Sequence, residues 1–417
     1  MYSVRTILAI AIGLAAILFI ILGLSECIFN SAYVPPDTST YIEASNMLFA
    51  DFKPHPLRPV GYALLLGLPN LFMDNVGDRQ YITFGILLNL FCWLASIVIL
   101  YKIFLNWFKT KVAFWLTLFW VFSLGTVAQN FLALTDSVAV FMLMLLSLYL
   151  VKYQGSGKMK YMIISVSLLN LLVLIKPGFL YLAILSTLTL VVFLIKKQKF
   201  HSGVWLLLMS VTLIGVQYVM MYNSYEKVKV SFIDKVTWYR YLGAESYAKV
   251  SHLEYLEVRE TRTAELAGRS YKQIDELSSD DMKHQLRENP TAVLSSMAEN
   301  LFSNSIAGSY GILAVQNILP PDKTFYLAAS RLLFTLSRLQ NMAFVLLYLV
   351  SLILVLRKIR RVDPSTLFLQ LLASYVILTS TVSFRQGDRF HLVIYPIILI
   401  IFLYLVKHKS WVRVWLK

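Results

Sequence analysis

The sequence predicts an all-α polytopic membrane protein with about ten transmembrane helices. Three observations predict this fold class. Of the 417 residues, 58% are hydrophobic and the mean hydropathy is +0.66, which is far more apolar than a soluble domain. Apolar stretches of about span length recur along the chain, and basic residues collect in alternate connections between them.

The apolar stretches define the helices, because a hydrocarbon core about 30 Å thick needs roughly 20 apolar residues per span. We expect spans at residues 6–24, 81–105, 112–130, 135–151, 161–175, 178–195, 204–221, 339–356, 365–384 and 391–406. The first stretch follows Arg5, as in a secretory signal, but it is as long as a full span and no small-x-small cleavage pattern follows it. We therefore expect an uncleaved first helix.

Basic residues orient these helices, because cytoplasmic loops of membrane proteins are enriched in Lys and Arg. With a cytoplasmic N-terminus, the inside segments contain a single acid, Asp363. Their basic residues are Arg5, Lys102, Lys109, Lys111, Lys152, Lys158, Lys160, Lys196, Lys197, Lys199, Arg357, Lys358, Arg360, Arg361, Lys407, Lys409, Arg413 and Lys417. The pattern predicts that both termini are cytoplasmic. It also accounts for the net charge of +15 without nucleic-acid binding.

Two outer segments interrupt the regular alternation of helix and short loop. The first outer loop, residues 25–80, contains an amphipathic helix predicted at 38–49 and the stretch PVGYALLLGLPNLFM, which is too short to span and is expected at the interface. The second segment, 222–338, is expected to be a larger, mostly helical extracytoplasmic loop. It contains predicted helices between 255 and 287, a break at Asn289-Pro290 and an amphipathic stretch, FYLAASRLLFTLSRL, before the eighth span.

We divide the chain into an N-terminal transmembrane module (1–221), this loop region (222–338) and the C-terminal transmembrane helices (339–417). Cys27 and Cys92 are predicted to be unpaired.

Charged residues gather at the predicted outer ends of the spans. A charge needs explaining near an apolar run, because an ionisable group at the bilayer centre costs roughly 2.5 to 3.5 kcal/mol. These residues are Asp37 and Arg58 in the first outer loop, Asp136 before span four, Lys176 between spans five and six, and Arg385, Asp388, Arg389 and His391 between spans nine and ten. The topology brings them to one extracytoplasmic face.

Most of these residues also have a structural interpretation, and so does His55 in the first outer loop. The structural interpretations are helix capping for Asp37 and Asp136, a helix-dipole contact for Lys176, interfacial anchoring for Arg385 and Arg389, and ordinary packing for His55 and His391. The adjacent acids Asp280 and Asp281 are expected on a solvated helix face and not in a metal site.

The combination of groups is more informative than any one residue. A carboxylate can act as a general base toward an acceptor hydroxyl or amine. Arg and Lys in a water-poor site stabilise a departing phosphate. Two carboxylates beside three or four cations therefore suit the chemistry of a lipid-linked phosphosugar.

Five short motifs follow one another in a consistent order. They are PPDTSTY with Asp37 and Tyr41, RPVGYALLL from Arg58 to Leu66, Thr135-Asp136, Lys176-Pro177, and Arg389-Phe390 with Tyr395-Pro396. This order resembles the GT-C superfamily of polytopic glycosyltransferases, in the bacterial branch similar to protein O-mannosyltransferases and lipid A aminoarabinose transferases. The resemblance covers the first 200 residues and the last 40 best.

The resemblance implies inverting transfer of a sugar from a polyprenyl-phosphate donor to a lipid, glycan or protein acceptor, on the extracytoplasmic face of a bacterial inner membrane. The implied roles are general base for Asp37, acceptor or sugar positioning for Asp136, lipid-phosphate binding for Arg58, Lys176, Arg385 and Arg389, and further substrate contacts for Tyr41, Tyr62 and His391. The sequence departs from the family in having a lone acid at Asp37 and a lysine before Pro177.

No metal cofactor is expected. A monophosphate leaving group needs less charge neutralisation than a diphosphate, and the sequence has no Asp-x-Asp motif near these residues. A divalent metal is compatible with the sequence but not indicated by it.

Two other functions fit part of the pattern. A glycan polymerase or ligase with a diphosphate-linked donor would depend on Arg and His in the 222–338 loop. A lipid or glycan transporter would carry ionisable or broken-helix features near mid-membrane in both halves, and such features are few here.

Overall fold

The computed structural model describes residues 2–25, 37–73, 76–197, 203–319, 322–383 and 386–407, and it has no β-strand within these ranges. Its α-helices are α1 (Val4–Ile21), α2 (Thr38–Asp51), α3 (Val60–Leu66), α4 (Asp78–Leu105), α5 (Thr110–Val121), α6 (Leu124–Gln129), α7 (Asp136–Ser156), α8 (Met159–Val173), α9 (Leu180–Lys197), α10 (Val204–Tyr225), α11 (Ile233–Thr237), α12 (Gly243–Ser251), α13 (Tyr255–Leu266), α14 (Tyr271–Glu288), α15 (Pro290–Ser305), α16 (Tyr310–Gln316), α17 (Thr324–Arg357), α18 (Pro364–Ser380) and α19 (Tyr395–Val406). Two 3-10 turns, Pro177–Phe179 and Leu392–Ile394, lead into α9 and α19, and a π-helical turn, Trp238–Leu242, joins α11 to α12.

The apolar helices coincide with the predicted spans. α1, α4, α7, α9 with its preceding turn, α10 and α17 are long and apolar enough to cross a membrane. α5, α8, α18 and α19 with its preceding turn are shorter apolar helices. The prediction of a helical membrane protein is therefore confirmed, while the number of helices that cross the bilayer stays a prediction.

The third predicted span, 112–130, is not a single helix. It divides into α5 and α6 at Ser123, whose backbone is extended. Gln340 of α17 stabilises the break, because its Nε2 donates to the carbonyl oxygen of Phe122 and its Oε1 accepts from the backbone N–H of Leu124, both at 2.8 Å. One distant side chain thus satisfies backbone groups that the break leaves free, which the local sequence could not predict.

The eighth predicted span is part of a much longer helix. The amphipathic stretch before it was assigned to the 222–338 region, and α17 continues through both for 34 residues. At 1.5 Å per residue its length is about 51 Å, well beyond the hydrocarbon thickness. The stretch contains neither Gly nor Pro to interrupt it, so its N-terminal half extends from the membrane helices to the 222–338 region.

The first outer loop folds into α2 and α3, which pack against each other. Tyr41, Ser45 and Leu48 form the buried face of α2, in agreement with the predicted amphipathic helix. Ser45 Oγ donates to the carbonyl oxygen of Ala63 at 2.9 Å and so links the two helices. Cys92 of α4 is buried and free, whereas Cys27 lies outside the described residues.

The 222–338 region is helical, as predicted, and its break at Asn289-Pro290 is present between α14 and α15. A second break, between α13 and α14, was not predicted. There Gly268 has a φ of 76°, a left-handed conformation that favours glycine. Ser270 and Gln273 then begin α14 with a capping box.

Asp281 corrects the expectation of a solvated acidic face. Asp280 is exposed, as expected, but Asp281 accepts hydrogen bonds from Arg262 at 2.8 and 3.1 Å and from Trp238 Nε1 at 3.0 Å. These contacts join α13, α14 and the π-helical turn.

Helix α7 lies at the centre of the membrane helices. It packs against α4 and α8, and also against α18 and α19. The N-terminus of α7, the C-terminal end of α8 and the turn before α19 lie at the same end of the bundle, together with α2 and α3. Those predicted outer charges that the structure describes occupy this end.

Candidate active site

Five predicted charged residues form one continuous chain of ion pairs at this end of the bundle. Asp37 Oδ1 accepts from Arg58 Nη2 at 2.9 Å, and Asp37 Oδ2 accepts from Arg389 Nη1 at 2.8 Å. Arg389 Nε also donates to Asp136 Oδ2 at 3.2 Å, and Lys176 Nζ donates to Asp136 Oδ1. We call these five residues the charge chain. It brings the first outer loop into direct contact with the turn before the last helix.

Asp37 precedes α2, but its side chain makes no capping hydrogen bond. Its backbone is left-handed, with a φ of 71°, a conformation that few residues with a Cβ adopt, although Asp tolerates it. Both carboxylate oxygens bond to arginines instead. The capping interpretation is therefore wrong for this side chain, and the prolines before it, Pro35 and Pro36, lie outside the described residues.

The electrostatic environment of Asp37 favours the carboxylate. Burial alone would raise the pKa of Asp37, but the charges and hydrogen bonds of Arg389 and Arg58 outweigh burial and hold the pKa well below its usual range. Asp37 is thus ionised at physiological pH. It is also a weak base for as long as both guanidinium groups stay bonded to it.

Asp136 is the first residue of α7 and is fully buried. Gln129 Nε2 donates to its Oδ2 at 2.9 Å, beside the bonds from Arg389 and Lys176. The side chain therefore makes tertiary contacts and does not cap α7. A buried carboxylate is stable only when charges and donors surround it in this way.

Lys176 lies between α8 and the turn before α9. Its Nζ lies 5.4 Å from the centroid of the Phe390 ring, in addition to its ion pair with Asp136. Arg389 therefore contacts the carboxylate of the Asp136–Lys176 ion pair, and its neighbour Phe390 contacts the ammonium group. The Lys-Pro and Arg-aromatic motifs meet at this point.

His55 orders the turn that presents Arg58. Its Nδ1 accepts from the backbone N–H groups of Leu57 at 3.1 Å and Arg58 at 3.2 Å, which is the structural role expected for His55. The Arg58 guanidinium lies over the ring of Tyr41, with 4.4 Å from Cζ to the centroid, and its Nε donates to Thr40 Oγ1 at 2.8 Å. Tyr41 is therefore a direct neighbour of the charge chain.

Tyr62 lies behind Tyr41, one layer away from Arg58. The two rings meet edge to face, with centroids 4.9 Å apart. Tyr62 is fully buried, and its hydroxyl has no hydrogen-bond partner within the described residues. It supports the ring under Arg58, and the structure shows no direct contact with the ion pairs.

Tyr310 and Asp388 are neighbours of Arg389 that sequence reasoning missed as site residues. The Arg389 Cζ lies 5.1 Å from the centroid of the Tyr310 ring, and the backbone N–H of Tyr310 donates to Asp388 Oδ1 at 3.1 Å. A side chain at Gly125 would collide with Asp388. Tyr310 carried no signal because it lies in the 222–338 region, whereas the Asp388 charge was noticed but given no role.

The structure does not bring His391 into the charge chain. Its ring is fully buried, with Nε2 3.2 Å from Ser380 Oγ and Nδ1 3.4 Å from Asn341 Oδ1. These partners match its structural interpretation. Arg385, predicted to bind phosphate, lies outside the described residues.

Comparison with known proteins gives a likeness in structure. No protein-family model matches the chain, and no curated protein matches it. The crystal structure of ArnT from Cupriavidus metallidurans bound to undecaprenyl phosphate is similar, with a TM-score of 0.38 and 11% sequence identity, over 95% of this chain and 77% of that chain.

Exposure differs sharply along the charge chain. The Asp37 side chain is 37% exposed, whereas those of Arg58 and Arg389 are each 10% exposed and that of Asp136 is 0% exposed. An incoming molecule can therefore reach Asp37 more readily than Asp136. Three cations against two carboxylates leave one excess positive charge, so the site as a whole favours an anion.

That the site works without a metal ion stays a prediction. Within the described ranges, no group of three or more His, Cys, Asp and Glu side chains is arranged to hold a metal ion. The two carboxylates of the charge chain are instead occupied by arginines and a lysine.

We expect Asp388 to make the free energy of unfolding of the protein depend on pH. Burial raises the pKa of Asp388 to about 7, so between its ordinary pKa and about 7 the folded chain holds a proton that the unfolded chain releases. Stability is therefore highest at low pH and is lost as pH rises through this window. Between about pH 5.5 and pH 8, the wild type should lose about 2 kcal/mol relative to Asp388→Asn, measured by thermal unfolding in detergent.

The exposed acid Asp280 provides the matched control for this measurement. Asp280→Asn should keep the pH dependence of the wild type, because its side chain is 76% exposed. The same pH dependence in Asp388→Asn as in the wild type would show that Asp388 is ionised in the folded protein at the lower pH.

Proposed function

We propose that this chain is a membrane glycosyltransferase that moves a sugar from a polyprenyl-phosphate carrier to an acceptor hydroxyl or amine. The observation that carries the proposal is the charge chain, in which one reachable carboxylate lies between two guanidinium groups. A general base and an anion-binding site are thereby held together. The ordered motifs that resemble the GT-C superfamily contain these same residues.

Asp37 is the proposed general base. The acceptor oxygen or nitrogen attacks the anomeric carbon of the sugar, and its proton passes to the Asp37 carboxylate. The bond from that carbon to the phosphate oxygen breaks, and polyprenyl phosphate leaves with the electron pair. A single displacement of this kind inverts the anomeric configuration.

Arg58, Arg389 and Lys176 are the proposed phosphate-binding residues. Their side chains are at most 16% exposed, and a charge-assisted hydrogen bond is stronger in such a water-poor site than in water. The developing charge on the leaving phosphate would therefore be stabilised most at the transition state.

Donor binding would also activate the base. In the free protein both Asp37 oxygens accept from arginines, which keeps the pKa of Asp37 low. A donor phosphate competes for the same N–H groups, so one Asp37 oxygen becomes free and its pKa rises. The base is then most effective when the donor is present.

Asp136 has a different proposed role. Its complete burial and its three bonding partners leave no side of the carboxylate toward a substrate. We assign it as a positioning residue that holds Arg389 and Lys176 in place for the phosphate.

Location and acceptor complete the proposal. The site would face the extracytoplasmic side, because the basic connections of the predicted inside segments lie at the other end of α7 and α8. Both termini would then be cytoplasmic in a bacterial inner membrane, no metal would be required, and the 222–338 region would help to select a lipid, glycan or protein acceptor.

Donor preference tests this proposal. Purified full-length protein is incubated with sugar-labelled polyprenyl monophosphate or diphosphate, with membranes from cells that lack the protein as the acceptor source. We expect transfer from the monophosphate donor. Transfer only from the diphosphate donor would favour a polymerase or ligase, and movement of the intact donor across sealed vesicles without bond cleavage would favour a transporter.

A further inference from the structure

Two arginines of the 222–338 region lie against a single tyrosine ring. Arg240 belongs to the π-helical turn and Arg259 to α13, and their Cζ atoms lie 5.9 Å and 5.2 Å from the centroid of the Tyr241 ring. Arg240 Nε donates to Thr263 Oγ1 at 3.1 Å. Its terminal nitrogens have no hydrogen-bond partner among the described residues, and π-helical turns are frequent at functional sites.

Neither guanidinium group pairs with a carboxylate within the described residues, although acids are abundant around them. By contrast, many cations of this region lie within 4.0 Å of an Asp or Glu oxygen, namely Lys227, Lys229, Lys249, Arg262, Lys272 and Lys283. Arg240 and Arg259 are also half-buried, where two like charges repel more strongly than in water. An anion between them would relieve this repulsion.

Tyr310 connects this arginine pair to the charge chain. Its ring lies beneath Arg389, and its hydroxyl is within electrostatic range of both Asp37 and Tyr241. The arginine pair therefore lies in the neighbourhood of the charge chain. The donor phosphate already has three cations of its own.

We infer that Arg240 and Arg259 bind an oxyanion, of the phosphate or carboxylate class, on the acceptor substrate. The inference rests on the proposed function in naming the acceptor, whereas the anion site rests on the two arginines alone. Guanidinium groups present paired N–H donors that match phosphate and carboxylate oxygens. Anchoring an acceptor by this group would hold its hydroxyl or amine near Asp37.

Binding of glucose 1-phosphate tests the site without requiring catalysis. The full-length protein is placed in zwitterionic nanodiscs, and binding is measured with and without polyprenyl phosphate, which occupies the proposed donor site. The variants are Arg240→Gln/Arg259→Gln, the conservative Arg240→Lys/Arg259→Lys, and the exposed control Arg287→Gln. We expect the binding that persists with polyprenyl phosphate to weaken at least tenfold in the glutamine variant, partly recover in the lysine variant and stay unchanged in the control.

Each other outcome has a defined meaning. Wild-type affinity in the glutamine variant, or no saturable binding to the wild type, would overturn the oxyanion site. Competition by phosphatidylglycerol in the nanodisc would assign the site to a lipid headgroup and overturn the acceptor assignment. If polyprenyl phosphate itself does not bind, the proposed donor is wrong, while the arginine pair is still judged by the glutamine variant.

Discussion

Asp37→Asn is expected to lower the rate of sugar transfer by about 10²- to 10⁴-fold, the usual contribution of a positioned general base. Asparagine keeps the size of the side chain and one carbonyl oxygen but cannot accept the acceptor proton. The measurement is kcat for transfer of labelled sugar from polyprenyl phosphate.

Donor affinity separates this chemical role from a structural one. Asp37 is ion-paired with Arg58 and Arg389, and in the proposed mechanism it competes with the donor phosphate for them. Neutralising Asp37 should therefore leave donor binding unchanged or make it tighter. A misfolded site would instead bind the donor weakly. Asp51→Asn, an exposed acid on the same helix, is the matched control and should transfer sugar at the wild-type rate.

Undiminished transfer by Asp37→Asn would remove Asp37 as the base. Asp136 could not take that role without a rearrangement, because it is fully buried behind Arg389 and Lys176. Another group near Arg58 and Arg389, or the acceptor itself, would then have to accept the proton.

Arg389→Lys is expected to lower kcat/KM by about 10²- to 10³-fold, which is the usual effect of removing one donor from a preorganised anion site. One guanidinium bonds to both carboxylates at once, through Nη1 to Asp37 and Nε to Asp136. Lysine keeps the charge, but its single ammonium group cannot reproduce a two-sided planar contact.

The same change should also destabilise the protein. If lysine reaches only one of the two acids, the other is left partly unpaired, and breaking a buried pair costs about 3 to 5 kcal/mol. Thermal unfolding measures this loss alongside kcat/KM. Arg331→Lys, at an exposed position on α17, is the control. Wild-type turnover by Arg389→Lys would show that catalysis does not need one guanidinium group bonded to both carboxylates.

Much of the fold follows from hydropathy alone. Most predicted stretches coincide with a single helix because roughly 20 apolar residues have one favourable structure in a bilayer, where backbone groups must bond within the segment. The break between α5 and α6 could not be predicted, because Gln340 supplies the bonds from more than 200 positions away. The residues on either side of the break do not indicate that a distant side chain bonds there.

The candidate site was predicted as a set of residues and not as a geometry. Topology placed Asp37, Arg58, Asp136, Lys176 and Arg389 at one end of the membrane helices, and the structure shows that they touch. Which acid is reachable depends on burial, a tertiary property. Gln129 was a missed signal: the polar pair Gln129-Asn130 interrupts an apolar run shortly before Asp136, and Gln129 Nε2 donates to the Asp136 carboxylate.

Transfer of labelled sugar by purified protein is the most direct test of the central claim that the charge chain is the active site of a polyprenyl-phosphate glycosyltransferase. Wild-type protein, supplied with labelled polyprenyl-monophosphate sugar and acceptor membranes, is predicted to release polyprenyl phosphate and to label a product. Asp37→Asn is predicted to bind the same donor and to label the product about 10²- to 10⁴-fold more slowly. Label that stays on the carrier with the wild type, or equal labelling by both proteins, would contradict the claim.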